Sequence, residues 1–280
     1  MKVAILDLNN NVTNRGIGYI KRLVESYSNT LSYDVFDVRH KNEVPGLEYD
    51  IYISSGGPGS PYDYTGGWDG KYFAFIEALY RHNLQSEDKK FVFFICHSFQ
   101  LACLHFKIGT VSERTQGQSF GTFPCYRTPS GVRDKYLKLL SNPFWIADFR
   151  DWQVVLNEEQ NESLSSNVDS SSFKILAHEP PQKNNFPQAI MSIRFSPTMF
   201  GTQFHPEADA EGMSIYFSDP VRRETVVKNF GEEKYNQMII DLNDPDKIQR
   251  TFKTLLPTFI EDAIKHFSGN KNKNLQLRKI

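Results

Sequence analysis

Three short, largely apolar runs in the first hundred residues constrain this chain more than any other feature. They are "KVAILDL" (2–8), "DIYIS" (50–54) and "KFVFFI" (90–95). A strand on a half-solvated sheet alternates apolar and polar residues, whereas a run apolar throughout needs cover on both faces. The segments between them have helical period. "RGIGYIKRLVESYS" (15–28) places Ile17, Ile20, Leu23, Val24 and Tyr27 at helical spacing, and "GKYFAFIEALYRHN" (70–83) reads as a second helix. A further strand is expected at "YDVFDV" (33–38), and "HSFQLACLHF" (97–106) reads as the helix after the last apolar run. Strand and helix in alternation imply a parallel sheet with right-handed crossovers.

Beyond residue 107 the character changes. "FGTFPCYRT", "WQVVLN", "FKILAHE", "QAIMSIRF" and "MFGTQF" are short strands set in polar, turn-rich sequence. "NEEQNESLSSNVDSSS" (157–172) reads as a loop between two of them. After residue 207 helical patterns return, most strongly in "DPDKIQRTFKTLLPTFIEDAIKHF" (244–267), and the chain closes on a polar, basic stretch. The expected fold is α/β: a flavodoxin-like, doubly wound, mostly parallel sheet with an antiparallel extension and a C-terminal helical elaboration. The expected division is one domain over residues 1–207, a helical elaboration over 208–268 packed on it, and a flexible tail over 269–280.

Charge excludes some partners. Thirty-two basic residues against 33 acidic ones leave a net charge of −1, so neither nucleic acid nor an anionic membrane surface is an expected partner. No apolar stretch approaches the ~18 residues that span a bilayer. Three cysteines in a long chain argue against a disulfide framework and for a reducing, cytoplasmic setting. No CxxC or HExxH spacing occurs, and "GGPGSP" lacks the Gly-Lys-Ser/Thr of a phosphate loop, so no metal or cofactor is expected.

Three segments carry candidate chemistry. Cys96 ends the last apolar run, where strand gives way to helix, and a helix N-terminus there favours a thiolate. "GTQFHPEAD" (201–209) sets His205 after a short strand with Glu207 two residues on, so that both side chains share one face and the carboxylate can hold the imidazole. "SSGGPGSP" (54–61) is a rigid turn with bare backbone N–H groups. Each also has a plain reading: a buried inert cysteine, a solvated turn, an ordinary loop. Cys103 and Cys125 read as core.

Taken in order, "SGGPGS", "ICHSFQ" and "GTQFHPE" resemble the class I glutamine amidotransferase superfamily over residues 1–207, with the glutaminase domain of GMP synthase and the stand-alone γ-glutamyl peptidases as its nearest shapes. The resemblance implies a hydrolase of a γ-glutamyl amide (glutamine, or a γ-glutamyl peptide or conjugate) that works through a thioester. It implies Cys96 as nucleophile, His205 as general base and acid, Glu207 as its orienter, the N–H groups of Gly57 and His97 as oxyanion hole, and Gln100 at the substrate. It also implies a small-molecule γ-glutamyl substrate and either a separate synthase subunit as partner or independent action. The family pattern Gly-x-Cys-x-Gly-x-Gln is broken by Phe94 and Ser98, and its Ser-His-x-Asp-x-Val by "FRDWQV" (149–154). These departures leave a second reading open, a catalytically silent amidotransferase-like protein that binds a ligand or partner.

Overall fold

The computed structural model describes residues 1–156, 173–182 and 186–277; the loop expected at 157–172 lies outside them. The strands are β1 (Lys2–Asp7), β2 (Ser32–Asp37), β3 (Ile51–Ser54), β4 (Phe91–Ile95), β5 (Thr110–Glu113), β6 (Ser119–Arg127), β7 (Phe144–Arg150), β8 (Trp152–Val155), β9 (Lys174–His178), β10 (Ile190–Ser196) and β11 (Met199–Thr202). The helices are α1 (Arg15–Glu25), α2 (Val38–Lys41), α3 (Asp69–Gln85), α4 (His97–Phe106), α5 (Pro129–Arg133), α6 (Ala210–Ser218), α7 (Pro220–Phe230), α8 (Glu232–Asn243) and α9 (Ile248–Leu277).

Among the described residues one large sheet runs β2-β1-β3-β4-β11-β10-β9-β6-β7, and β5 pairs with β8 apart from it. The first five strands in that order are parallel, and the remaining pairings are antiparallel. The apolar runs are covered on both sides, as their composition demands. Val3, Ile5, Ile53 and Phe93 face α1 and α9, in one core with Ile20 and Phe259. Their alternates Ala4, Leu6, Tyr52 and Phe94 face α3 and α4, in another with Ile76 and Phe99. Helices α6 to α8 cover the far end of the sheet, where Met213, Phe217 and Met238 pack with Ala147 and with Phe120 and Phe149.

Two strands escape the sequence reading. β5 is short, and β7 ("FWIADFR"), though preceded by the turn pair Asn142-Pro143, runs almost straight into β8. The C-terminal helix also continues past residue 267 to Leu277, so residues 269–277, expected as a tail, prolong it; residues 278–280 lie outside the described residues. The family's expected architecture, a flavodoxin-like sheet of mostly parallel strands between helices, is present.

Candidate active site

Cys96 occupies the single residue between β4 and α4, with φ 50° and ψ −99°. A non-glycine residue holds that backbone only when its surroundings enforce it. Here they do so from both sides. Its N–H donates to the Thr202 carbonyl (2.8 Å), extending the β4–β11 ladder, and its carbonyl accepts from Gln100 N–H (3.0 Å), opening the helix. This strand-to-helix turn thrusts the side chain out at the carboxyl end of the sheet, the geometry of a nucleophile elbow.

The two residues that break the family pattern are both accommodated. Phe94 lies opposite Gly201 in the β4–β11 register. A Cβ at Gly201 would come within 2.9 Å of Phe99, 3.0 Å of Phe195 and 3.3 Å of Phe94, so the missing side chain on β11 makes room for the rings. Phe94 then meets Phe195 edge to face, with centroids 5.7 Å apart. The Ser98 hydroxyl accepts from Ile95 N–H (2.7 Å) and donates to the Ser54 carbonyl (2.7 Å), stitching the ends of β3 and β4 together beneath the turn.

Because β11 runs parallel beside β4, the residues after it arrive over Cys96. His205 is fixed by its own N–H donating to the Ala147 carbonyl (2.9 Å). Its Nδ1 meets Glu207 Oε1 at 2.8 Å, and its ring lines the same cavity as Cys96. With Nδ1 taken by the carboxylate, Nε2 is the ring nitrogen left to serve the sulfur. Burial opposes a charge on this imidazole, but the Glu207 carboxylate and Cys96 outweigh it and hold the His205 pKa well above its ordinary value. Gln203 completes the set by donating from Nε2 toward the sulfur at 3.8 Å.

The glycine pair serves the same close approach. A Cβ at Gly56 would lie 2.9 Å from His205 Cε1 and 3.4 Å from Cys96 Cβ. At Gly57 it would lie 2.3 Å from the Leu8 carbonyl oxygen. Side chains are excluded from both positions. Gly57 lines the cavity that holds Cys96, and the His97 amide belongs to the first turn of α4, where N–H groups have no acceptor within the helix. The His97 side chain points elsewhere. It is 1% exposed, and burial, with the nearby Arg39 charge adding to it and Asp63 opposing, pushes its pKa down to about 3, so the ring is neutral.

Gln100 is brought near the site but not to the cavity wall. It is 2% exposed, and its amide donates to Gln203 Oε1 (3.2 Å) and toward the Trp152 carbonyl (3.3 Å). It steadies Gln203 from below. Cys103 and Cys125 are free, fully buried, and held as thiols by that burial. Among the described residues no group of His, Cys, Asp and Glu is arranged to hold a metal ion, and no helix is long and apolar enough to cross a membrane.

The cavity itself, of about 850 Å³, has walls that sequence reasoning missed. Period-2 alternation in β7 sends Phe149 into it while Asp148 and Arg150 turn inward. Phe149 stands 6.1 Å from the His205 ring and is the cross-strand partner of Phe120, which also lines the cavity. Behind them Arg150 is wholly buried between Asp148 (2.9 Å) and Glu179 (2.8 Å), and Glu179 also takes Arg114 (3.1 Å). The "FRDWQV" segment thus supplies one ring to the cleft and one buried ion cluster beneath it. The only sequence signal was the replacement of expected polar residues by Phe149 and Arg150.

Strand order, elbow and histidine–carboxylate pair together define an α/β protein of the amidotransferase class. The sequence matches the family Glutamine amidotransferase class-I over residues 12–219, and the chain belongs to that family. No curated protein matches it. Among solved structures, its fold is similar to that of a glutamine amidotransferase from Thermotoga maritima, with a TM-score of 0.66 and 13% identity over 94% of this chain and 97% of that one. It is similar also to a glutamine amidotransferase from Methylobacillus flagellatus, with a TM-score of 0.58 and 13% identity over 90% and 94%. A third likeness is to the glutaminase domain of Trypanosoma brucei CTPS, with a TM-score of 0.51 and 15% identity over 74% and 86%. At these identities the likeness is one of fold.

Proposed function

We propose that this protein hydrolyses a γ-glutamyl amide through a thioester on Cys96. The observation that carries the reading is the assembly of Cys96, on its strained turn, with the His205–Glu207 pair at the wall of one cavity. His205, as general base, has taken up the thiol proton before sulfur adds to the γ-carbonyl, and Glu207 holds the imidazole and balances its charge. The developing oxyanion falls to the N–H groups of Gly57 and His97. Collapse breaks the C–N bond as His205 returns a proton to the leaving nitrogen. Water, deprotonated by the same imidazole, then attacks the thioester and restores the thiol.

Residues 1–207 form the catalytic domain in this reading, and 208–268 are an elaboration whose α6 and α7 close the cavity rather than a separate module. A γ-glutamyl substrate then reaches a cleft walled by the chain itself, which supports independent action over ammonia delivery to a synthase subunit. The silent-protein reading drew on Phe94, Ser98 and the altered 149–154 segment; the first two are absorbed without displacing Cys96, and the third gives Phe149 to the cavity wall. The test is alkylation. Iodoacetamide at neutral pH is expected to modify Cys96 well before Cys103 or Cys125, with loss of γ-glutamyl amide turnover in step. Labelling of all three only on unfolding would end the proposal.

A further inference from the structure

We infer that the cavity beyond His205 is a subsite for the leaving group, built for an amine with an aromatic or large apolar body and a carboxylate, as in a γ-glutamyl aromatic amino acid or peptide. The inference rests on the hydrolase reading above and names its substrate class.

The side of the cavity is fixed by proton transfer. The departing nitrogen needs a proton at the moment the C–N bond breaks, and His205 is placed to supply it, so the leaving group lies on the His205 side of the scissile bond. That side is aromatic. Phe149 begins 6.1 Å from the imidazole, Phe120 meets Phe149 edge to face at 5.1 Å, and Phe217 joins both at 5.8 and 6.3 Å. Met213, Tyr216 and Phe217 come from one face of α6, at the i, i+3, i+4 spacing that aligns side chains on a helix. A wall of this kind offers nothing to ammonia. Its volume of about 850 Å³ lies in the range of pockets that enclose drug-sized molecules, far more than the carboxamide nitrogen of glutamine needs.

The outer end of the same cavity is cationic. Arg15 of α1 and Arg222 of α7 both line it, and both guanidinium groups lie over the Tyr216 ring, at 4.8 and 3.7 Å from its centroid. Arg222 also donates to the Tyr216 hydroxyl. Stacking fixes the two guanidinium planes at little entropic cost, and among the described residues neither makes an ion pair. Asp219, in the adjoining recess, is engaged as the cap of α7 through Arg222 N–H (3.1 Å). Rings followed by two held guanidinium groups match an aromatic amine that carries a carboxylate at its far end.

Chemically, sulfur adds to the γ-carbonyl, the C–N bond breaks and the amino acid leaves as a free amine with a proton from His205. Water then releases glutamate. Four substrates separate the parts: glutamine, γ-glutamyl-glycine (carboxylate without ring), γ-glutamyl-phenethylamide (ring without carboxylate) and γ-glutamyl-phenylalanine (both). The last is expected to exceed glutamine in kcat/KM by about 10- to 100-fold, the worth of one buried ring. It should exceed the phenethylamide by about tenfold, the worth of one charge-assisted contact. Arg222→Gln, at an exposed position, should raise KM for γ-glutamyl-phenylalanine about tenfold and erase its advantage over the phenethylamide. Four rates within threefold of one another, or a preference for glutamine, would overturn the subsite while leaving the hydrolase reading intact. No turnover of any of the four, with Cys96 alkylated no faster than Cys103, would overturn both.

Discussion

The cleft has two walls that are built by different means. On the Cys96 side the close contacts involve backbone, glycine and short polar groups: the Thr202 carbonyl, Gly56, Gly57 and the Ser98 hydroxyl. On the other side stand rings and guanidinium groups carried by β6, β7, α1, α6 and α7. The first wall leaves almost no freedom in where the sulfur and the imidazole sit. The second tolerates changes of side chain, because each of its groups is one contact among several. In the proposed reaction, chemistry is tied to the wall that cannot vary, and selectivity to the one that can.

Substitutions should therefore act on turnover at the first wall and on substrate preference at the second. The largest effect is expected at the sulfur. Cys96→Ala should lower γ-glutamyl amide turnover by about 10⁴-fold or more while the urea midpoint barely moves. Residual activity above a hundredth of wild type would show that the wall does not depend on this residue. Next comes Glu207→Gln, with a loss of about 10³-fold and a fall of the His205 pKa, read from the imidazole resonances in an NMR titration. An unmoved titration would mean that the carboxylate is not what holds the imidazole charged. Gly56→Ala should cost about 100-fold in kcat, because its Cβ would displace His205. Phe149→Leu on the opposite wall should instead raise KM about threefold to tenfold, with little change in kcat. If both variants change the same kinetic constant, the division between the walls is lost.

A separate effect falls on stability, through the two histidines beside Cys96. The neutral His97, with its pKa down at about 3, lets the fold keep its full stability above the unfolded imidazole's value of about 6.5. As pH falls from there toward 3, the unfolded chain takes a proton that the fold refuses, and stability drops by up to about 1.4 kcal/mol per pH unit. His205 has the opposite sign. Its raised pKa contributes fully below about 6.5 and is lost as pH rises through the folded value. His97→Gln should flatten the acid limb alone and His205→Gln the alkaline limb alone, measured by urea unfolding between pH 4 and 9.

What could be read from sequence divides along the same line. Apolar runs announce strands buried on both faces, and a cysteine, a His-x-Glu and a Gly-Gly-Pro at strand ends announce the first wall, since that wall depends on backbone geometry and on residues with few substitutes. The second wall joins Arg15, Phe120, Phe149, Phe217 and Arg222, which no local spacing relates. Phe120 and Phe149 meet only through β-pairing of β6 with β7. Gln100 was legible as a residue near the site, yet its direction depends on Gln203, which meets it across the sheet.

The pairing of β11 with β4 has a further consequence for how the protein comes into being. Cys96 and Gln203 touch although 107 residues separate them along the chain. At ordinary rates of translation that interval lasts roughly 5–20 s. Throughout it the nascent chain carries the thiol at the end of β4, while β11, α9, the imidazole and the carboxylate have yet to be made. A truncated or stalled product consequently lacks His205 and Glu207, and the site is assembled only once β11 has slotted in beside β4.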